Sequence, residues 1–196
     1  SHWHARHLRR HFTNFPLDKW RILRNGVDVD LFRPGEKQDG KMVWASSHDR
    51  GLHWLLESFP AIKRAVPKAE LHVFYNSNGI RAFSSIPPQN LSDLTPGYTD
   101  GLPITHHNEE LGRRARYTQE AVRRLGNKGV IFHDSVSRDR MRDEMSSSSV
   151  LAYPLDPVRP TETFGVTVLE SCASGVLPVL CLADAFKELW SVDPMG

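Results

Sequence analysis

Short apolar runs alternate along this chain with longer stretches whose apolar residues recur every three or four positions. The short runs predict strands at residues 21–23, 42–45, 70–75, 130–133, 150–153 and 177–182, each rich in β-branched or apolar side chains. Between them, Leu52, Leu55, Phe59, Ile62 and Val66 keep a helical spacing across residues 52–66. Residues 111–125 and 138–145 predict further helices, and residues 2–12 have helical composition that Phe15-Pro16 ends. Strands alternating with helices predict an α/β, Rossmann-like domain: a parallel sheet with helices on both faces. Right-handed crossovers then gather the strand-to-helix loops at one sheet edge, where such folds bind ligands. Arg50, Tyr75, Ser135 and Glu162 all fall in or beside those loops.

One stretch breaks the pattern. Residues 77–108 hold Pro87, Pro88, Pro96 and Pro103 with Gly79, Gly97 and Gly101, among many polar residues. A structureless loop of that length is uncommon inside a compact domain, so a mobile insertion or lid is expected there.

At 196 residues the chain can bury one good core. A net charge of +2 is too small to argue for nucleic acid. Basic residues do gather near the start, where Arg6, Arg9, Arg10, Lys19, Arg21 and Arg24 face only Asp18. They fit a solvated interdomain helix and linker, with an anionic partner surface as the alternative. No apolar run approaches the roughly 20 residues that span a bilayer, and no signal-peptide pattern opens the chain. Cys172 and Cys181 form no scaffold and are expected to be buried as small hydrophobes. A reducing cytoplasmic compartment is the expected setting.

The chemistry concentrates in residues 162–179. Glu162 and Glu170 are separated by a Phe164-Gly165 step and an apolar run, after which Gly175 closes a short helix ahead of an expected buried strand. A helix starting near Gly165 presents free N–H groups and a positive dipole end, which suits phosphate. Glu162 lies just before that mouth, and Glu170 about 7–8 Å inside it at 1.5 Å per residue. Both carboxylates can accept hydrogen bonds from sugar hydroxyls on either side of a bound phosphate. The arrangement suits a nucleotide-sugar: diphosphate at the helix end, ribose on Glu170, transferred sugar on Glu162.

The Glu-x7-Glu pattern, with Phe-Gly after the first Glu and small residues after the second, resembles the signature of retaining glycosyltransferases of family 4, which have the GT-B fold. Residues 21–34, around Asn25-Gly26-Val27-Asp28, are similar to the segment that leads into that family's C-terminal domain. Residues 41–75, with Asp49-Arg50-Gly51-Leu52, resemble its first strand, phosphate loop, helix and second strand, and residues 129–154 resemble the elements before the signature. The resemblance implies that the chain is the C-terminal, donor-binding half of a two-domain enzyme. Residues 1–19 would be an interdomain helix and linker, and residues 20–196 the nucleotide-sugar-binding domain. The implied partners are a nucleotide-diphosphate sugar, an unidentified acceptor and an N-terminal acceptor domain. No metal or other cofactor is implied, and the full-length protein could sit peripherally at a membrane.

The resemblance also assigns roles. Glu162 would contact the transferred sugar as the catalytic-site carboxylate, against the bland reading of a charge near a helix N-terminus. Glu170 would accept both ribose hydroxyls, against that of an exposed helix carboxylate. Arg50 stands where the family has Lys before glycine and would clamp phosphate, against a surface pairing with Asp49. Phe164, Gly165 and Val166 would act through backbone N–H groups. Ser135-Val136 falls where the family contacts the base, and Val136 is carried as a donor-binding position. The family's upstream basic residue is missing. Ser46 and Ser47 stand near that place and can hydrogen-bond a phosphate without neutralising it.

His4, His7 and His11 share one helical face, but no Cys or carboxylate accompanies them, so an interdomain surface is the simpler reading than zinc. No Gly-x-Gly, Walker A or Gly-x-Ser-x-Gly pattern occurs, which removes dinucleotide, P-loop and hydrolase readings. An epimerase of the same fold and a non-catalytic nucleotide-sugar-binding module stay open as alternatives.

Overall fold

The computed structural model of the chain describes residues 1–10, 12–14, 16–85, 104–158 and 162–191. Its centre is a five-stranded parallel sheet of β1 (Lys41–Trp44), β2 (Glu70–Val73), β3 (Val130–Phe132), β4 (Val150–Tyr153) and β5 (Leu177–Leu180), in the order β3-β2-β1-β4-β5. Helix α1 (His2–Arg9) precedes the sheet, and α2 (Leu52–Ala65), α3 (Ser77–Ser85), α4 (Ile104–Leu125), α5 (Arg138–Ser147), α6 (Val166–Ala173) and α7 (Phe186–Leu189) follow in turn. Crossovers from β1 to β2 to β3 run one way and those through β4 to β5 the other. Right-handedness therefore puts α2 and α4 on one face and α5 and α6 on the opposite one, and each of these helix pairs is in contact. The expected Rossmann-like α/β class stands.

Packing explains each element. In α2, Leu52, Leu55, Leu56 and Phe59 turn inward on one stripe, while Trp54 on the other side is half exposed. The helix begins at Gly51 with φ 109°, where a Cβ would sit 2.0 Å from the Pro154 carbonyl oxygen. Only glycine fits that close approach of the β1 and β4 loops. Trp44, at the end of β1, meets Tyr153 of β4 edge-on at 4.9 Å, and Tyr153 meets Phe186 of α7 at 5.7 Å. All three rings are buried, so the C-terminal ends of the two central strands rest on one aromatic column.

Beneath α5 the sheet carries charge instead. Lys41 of β1 pairs with Glu144 of α5 at 2.6 Å, both side chains almost wholly buried, and Arg140 also holds Glu144. His72 and His133 share a 2.9 Å hydrogen bond beside this pair, and His133 stacks on Phe74 at 4.4 Å. Burial is the largest cause holding both imidazoles below their ordinary pKa; Lys41 adds to it for His72, and His72 itself for His133.

Four expectations change. Residues 21–23 form no strand: Leu23 is 87% exposed, and Arg21 spends its guanidinium on the carbonyls of Asp18 and Trp20. The expected insertion is helical at both ends. α3 is anchored where the Ser77 N–H and hydroxyl donate to Asp134 at 2.8 and 2.9 Å, and α4 starts seven residues before the predicted Leu111. The two helices lie together, and residues 86–103 fall outside the described residues. β5 is not a buried strand but the sheet's outer one among the described residues, with Leu177 63% and Val179 55% exposed. Cys181 just beyond it and Cys172 on the outer side of α6 are accordingly exposed rather than buried. Helix α1 is tied to α7. Both oxygens of Glu188, on α7, accept the His2 and Trp3 backbone N–H groups at 2.7 and 2.6 Å.

Candidate functional site

Strand order reverses direction between β1 and β4, and ligands of open α/β sheets bind at the carboxyl end of such a switch point. The β1 loop (45–51) and the segment that enters α6 meet there. Thr167, in the first turn of α6, pegs its hydroxyl to the Ala45 carbonyl at 3.0 Å, which fixes the helix mouth over the end of β1. Gly165 makes the mouth possible. It has φ 80°, and a Cβ would come within 2.5 Å of the Phe186 ring. At the other end, Gly175 N–H bonds Cys172 O and Val176 N–H bonds Ser171 O, a glycine-closed terminus of the kind the sequence predicts.

Glu162 is the hub. Its carboxylate is buried and accepts four protein donors: Arg50 Nη1 at 2.7 Å and the Tyr153 hydroxyl at 2.9 Å on Oε2, Gly165 N–H at 2.8 Å and Phe164 N–H at 3.4 Å on Oε1. Its own N–H donates to Asp184 at 3.1 Å. Ser46 bonds the Tyr153 hydroxyl at 2.7 Å, so a hydroxyl chain runs from Ser46 through Tyr153 to Glu162. Burial opposes the charge on Arg50, but Glu162 and Tyr153 outweigh it and hold the guanidinium above its ordinary pKa. Burial, then the Glu162 charge, raise the Tyr153 phenol. The helix mouth therefore holds a buried carboxylate and a guanidinium paired at 2.7 Å.

Arg50 and Glu162, expected to serve phosphate and sugar separately, are here partners of each other. Ser46 is turned to Tyr153 and Ser47 to Asp49, so neither hydroxyl faces an open helix mouth. Phe164 is buried and Val136 half-buried against the core. Among the described residues, the N–H groups of Val166 and Thr167 have no acceptor, and Val166 is 43% exposed. They are the open part of the mouth. Glu170 is not an exposed carboxylate: its side chain is 13% exposed, with Arg138 Nη2 3.7 Å away. Burial raises its pKa, and Arg138 works against the rise. Arg138 also covers the Phe32 ring at 5.3 Å.

Two features escape sequence reasoning, and a third is plain in the sequence but has its role set by the structure. Tyr153 ends a strand and carries no motif. Buried His48, beside Arg50, has neither ring nitrogen hydrogen-bonded, and burial holds its pKa low against the pull of Asp49. An Asp-x-Asp step occurs at Asp28-Val29-Asp30, but the Asp28 carboxylate serves as a local turn, accepting Asp30 and Leu31 N–H at 3.1 and 3.0 Å. His11 of the histidine face lies outside the described residues. Among those described, no three His, Cys, Asp or Glu residues are grouped to hold a metal, and no helix is long and apolar enough to cross a membrane.

No protein-family model and no curated protein matches the chain. Solved structures do. One is AviGT4, a glycosyltransferase involved in avilamycin A biosynthesis, with a TM-score of 0.54 at 17% identity over 92% of this chain. Another is the C-terminal domain of a glycosyl transferase group 1 family protein, LpcC, from Francisella tularensis, with a TM-score of 0.52 at 16% identity over 87%. The chain spans 44% of the first and 78% of the second. At these identities the likeness concerns the fold: this is a Rossmann-like domain of the type that glycosyltransferases carry.

Proposed function

We propose that this chain is the donor-binding half of a GT-B, family-4-like retaining glycosyltransferase, which moves a sugar from a nucleotide diphosphate to an acceptor. The observation that carries the reading is the α6 mouth at the sheet's switch point, with two open N–H groups between Arg50–Glu162 and Glu170. The diphosphate seats on the Val166 and Thr167 N–H groups. The ribose hydroxyls donate to Glu170, whose desolvated carboxylate gains most from new donors. Arg50 turns from Glu162 to the phosphate, which frees one lone pair on Glu162 for a hydroxyl of the transferred sugar. A carboxylate offers about four lone-pair sites, and all four are already engaged without donor. Sugar contact and phosphate clamping are thereby coupled through a single guanidinium. Charge stabilisation of the departing diphosphate and close placement of the reacting carbon are the protein's contribution, with no metal in the scheme.

The test is a thermal-shift panel of UDP-, GDP- and ADP-sugars against this chain, followed by transfer assays in a full-length protein. Stabilisation by one nucleotide series supports the reading, and no response to any of them refutes it. Donor binding without transfer in the full-length protein would instead favour a non-catalytic module, the reading that the fully engaged Glu162 supports.

A further inference from the structure

A cavity of about 680 Å³ lies between α1 and α7, lined by Trp3, Arg6, His7, Arg10, Asp184, Lys187 and Glu188. Its size is that of a small-molecule site. One wall is bonded to the Glu162 segment: Asp184 accepts the Glu162 N–H at 3.1 Å, and the Ala185 N–H donates to the Glu162 carbonyl at 3.3 Å. From the opposite wall, the Ser1 hydroxyl at the head of α1 donates to the Thr163 carbonyl at 3.0 Å. The cavity thus adjoins the residues on which the transferred sugar is placed above.

Its charge is unbalanced. Both carboxylates are engaged: Asp184 with the Glu162 backbone, Glu188 with the first N–H groups of α1 and with Arg6 at 3.7 Å. Arg10 and Lys187 have no carboxylate partner among the described residues, and both are exposed. Trp3 supplies a half-buried indole stacked on His7 at 5.2 Å, a flat apolar surface of the kind a sugar ring packs against. Guanidinium and ammonium groups beside an indole match a sugar that carries phosphate: the ring on Trp3, the phosphate between Arg10 and Lys187.

We infer that this cavity is the part of the acceptor subsite that the donor-binding half contributes and that its ligand is a phosphorylated sugar. The inference rests on the donor reading above, because the cavity is named acceptor by its place beside Glu162.

The experiment titrates the 196-residue chain with glucose 6-phosphate, glucose and inorganic phosphate separately, reading tryptophan fluorescence and calorimetry. The same titrations are run on Arg10→Glu/Lys187→Glu, with the nucleotide-sugar panel in parallel. Glucose 6-phosphate should bind more tightly than glucose or phosphate alone. The double variant should lose that binding by about tenfold or more while keeping its melting temperature and its response to nucleotide-sugars. Equal binding by wild type and variant, equal binding of glucose and its phosphate, or no saturable response would overturn the site. Donor binding with any of those results sinks this inference alone. Glucose 6-phosphate binding without any donor binding overturns the acceptor assignment and the donor reading together.

Discussion

Replacing Glu162 by alanine removes an internal anion and leaves four donors facing the space it filled: the Arg50 guanidinium, the Tyr153 hydroxyl and the Phe164 and Gly165 N–H groups. Hydrogen bonds to a charged group contribute about 1.5–3 kcal/mol each, but they are not additive within one cluster. The Phe164 contact at 3.4 Å is long, and the Arg50 side chain is 27% exposed, so water recovers part of its loss. Breaking a buried charge pair from one side costs roughly 3–5 kcal/mol, which we take as the range here. For a domain of this size that lowers the melting temperature by about 6–20 °C. Glu162→Gln, which keeps the shape and one acceptor oxygen, should lose less. Urea denaturation at constant slope measures the loss, and adding inorganic pyrophosphate supplies the check on mechanism. Pyrophosphate should restore more stability to Glu162→Ala than to wild type, because the variant's mouth lacks its own anion. A Glu162→Ala protein within about 0.5 kcal/mol of wild type, or one indifferent to pyrophosphate, would refute the account of this carboxylate.

Other outcomes follow from the same geometry. Glu170→Ala should lower nucleotide affinity about 10- to 150-fold with the fold intact, and calorimetry that finds no change removes the ribose role. Gly51→Ala should cost about 3 kcal/mol or more, since its Cβ would meet the Pro154 carbonyl at 2.0 Å in a left-handed conformation; a stability measurement decides it. Burial first, then the Arg114 charge, depress His53 to about 4 against the pull of Asp156, so the folded state resists its protonation. Stability from this group is complete above pH about 6.5 and is lost as pH falls toward 4, up to about 3 kcal/mol. His53→Leu should flatten that part of the pH–stability curve, and an unchanged slope in chemical denaturation would count against it. Hydrogen bonds from Arg113, against the opposition of burial, hold Glu110 at about 2, so its smaller share disappears only as pH falls from about 4.5 toward 2.

The sheet was legible wherever a strand had buried neighbours on both sides, as in residues 42–45 and 150–153, because apolar runs of that length have few other uses. Residues 21–23 show the limit: three residues with two apolar side chains make a strand only if a partner is at hand, and no described strand pairs with them. Polar composition concealed α3 and the first turns of α4, where Ile80, Phe83 and Ile104 are the large apolar residues across 77–85 and 104–110, too few to trace a helical stripe. The α6 mouth could be read locally from Gly165 and Gly175. The ion pair at its centre could not, because Arg50 and Glu162 are 112 positions apart, and neither could the Ser46–Tyr153 link across 107. Local spacing identifies the groups; only the crossover topology decides which of them neutralise one another.

The buried Lys41–Glu144 pair has a consequence for how β1 finds its place. Side chains of a strand alternate between faces, and Lys41 points toward α5 while Met42 borders a cavity shared with Leu55 and Ile62 of α2. Sliding β1 by one residue would exchange those faces and drive an ammonium group into the apolar layer under α2, with Glu144 left desolvated and facing a methionine. Such a pair adds little net stability over a well-packed hydrophobic pair. Its effect is instead to make the misaligned sheet far worse than the aligned one. The charges act as a register key for the strand at the sheet's centre, on which the alignment of β2 and β4, and with it the position of Tyr153 beneath Glu162, depends.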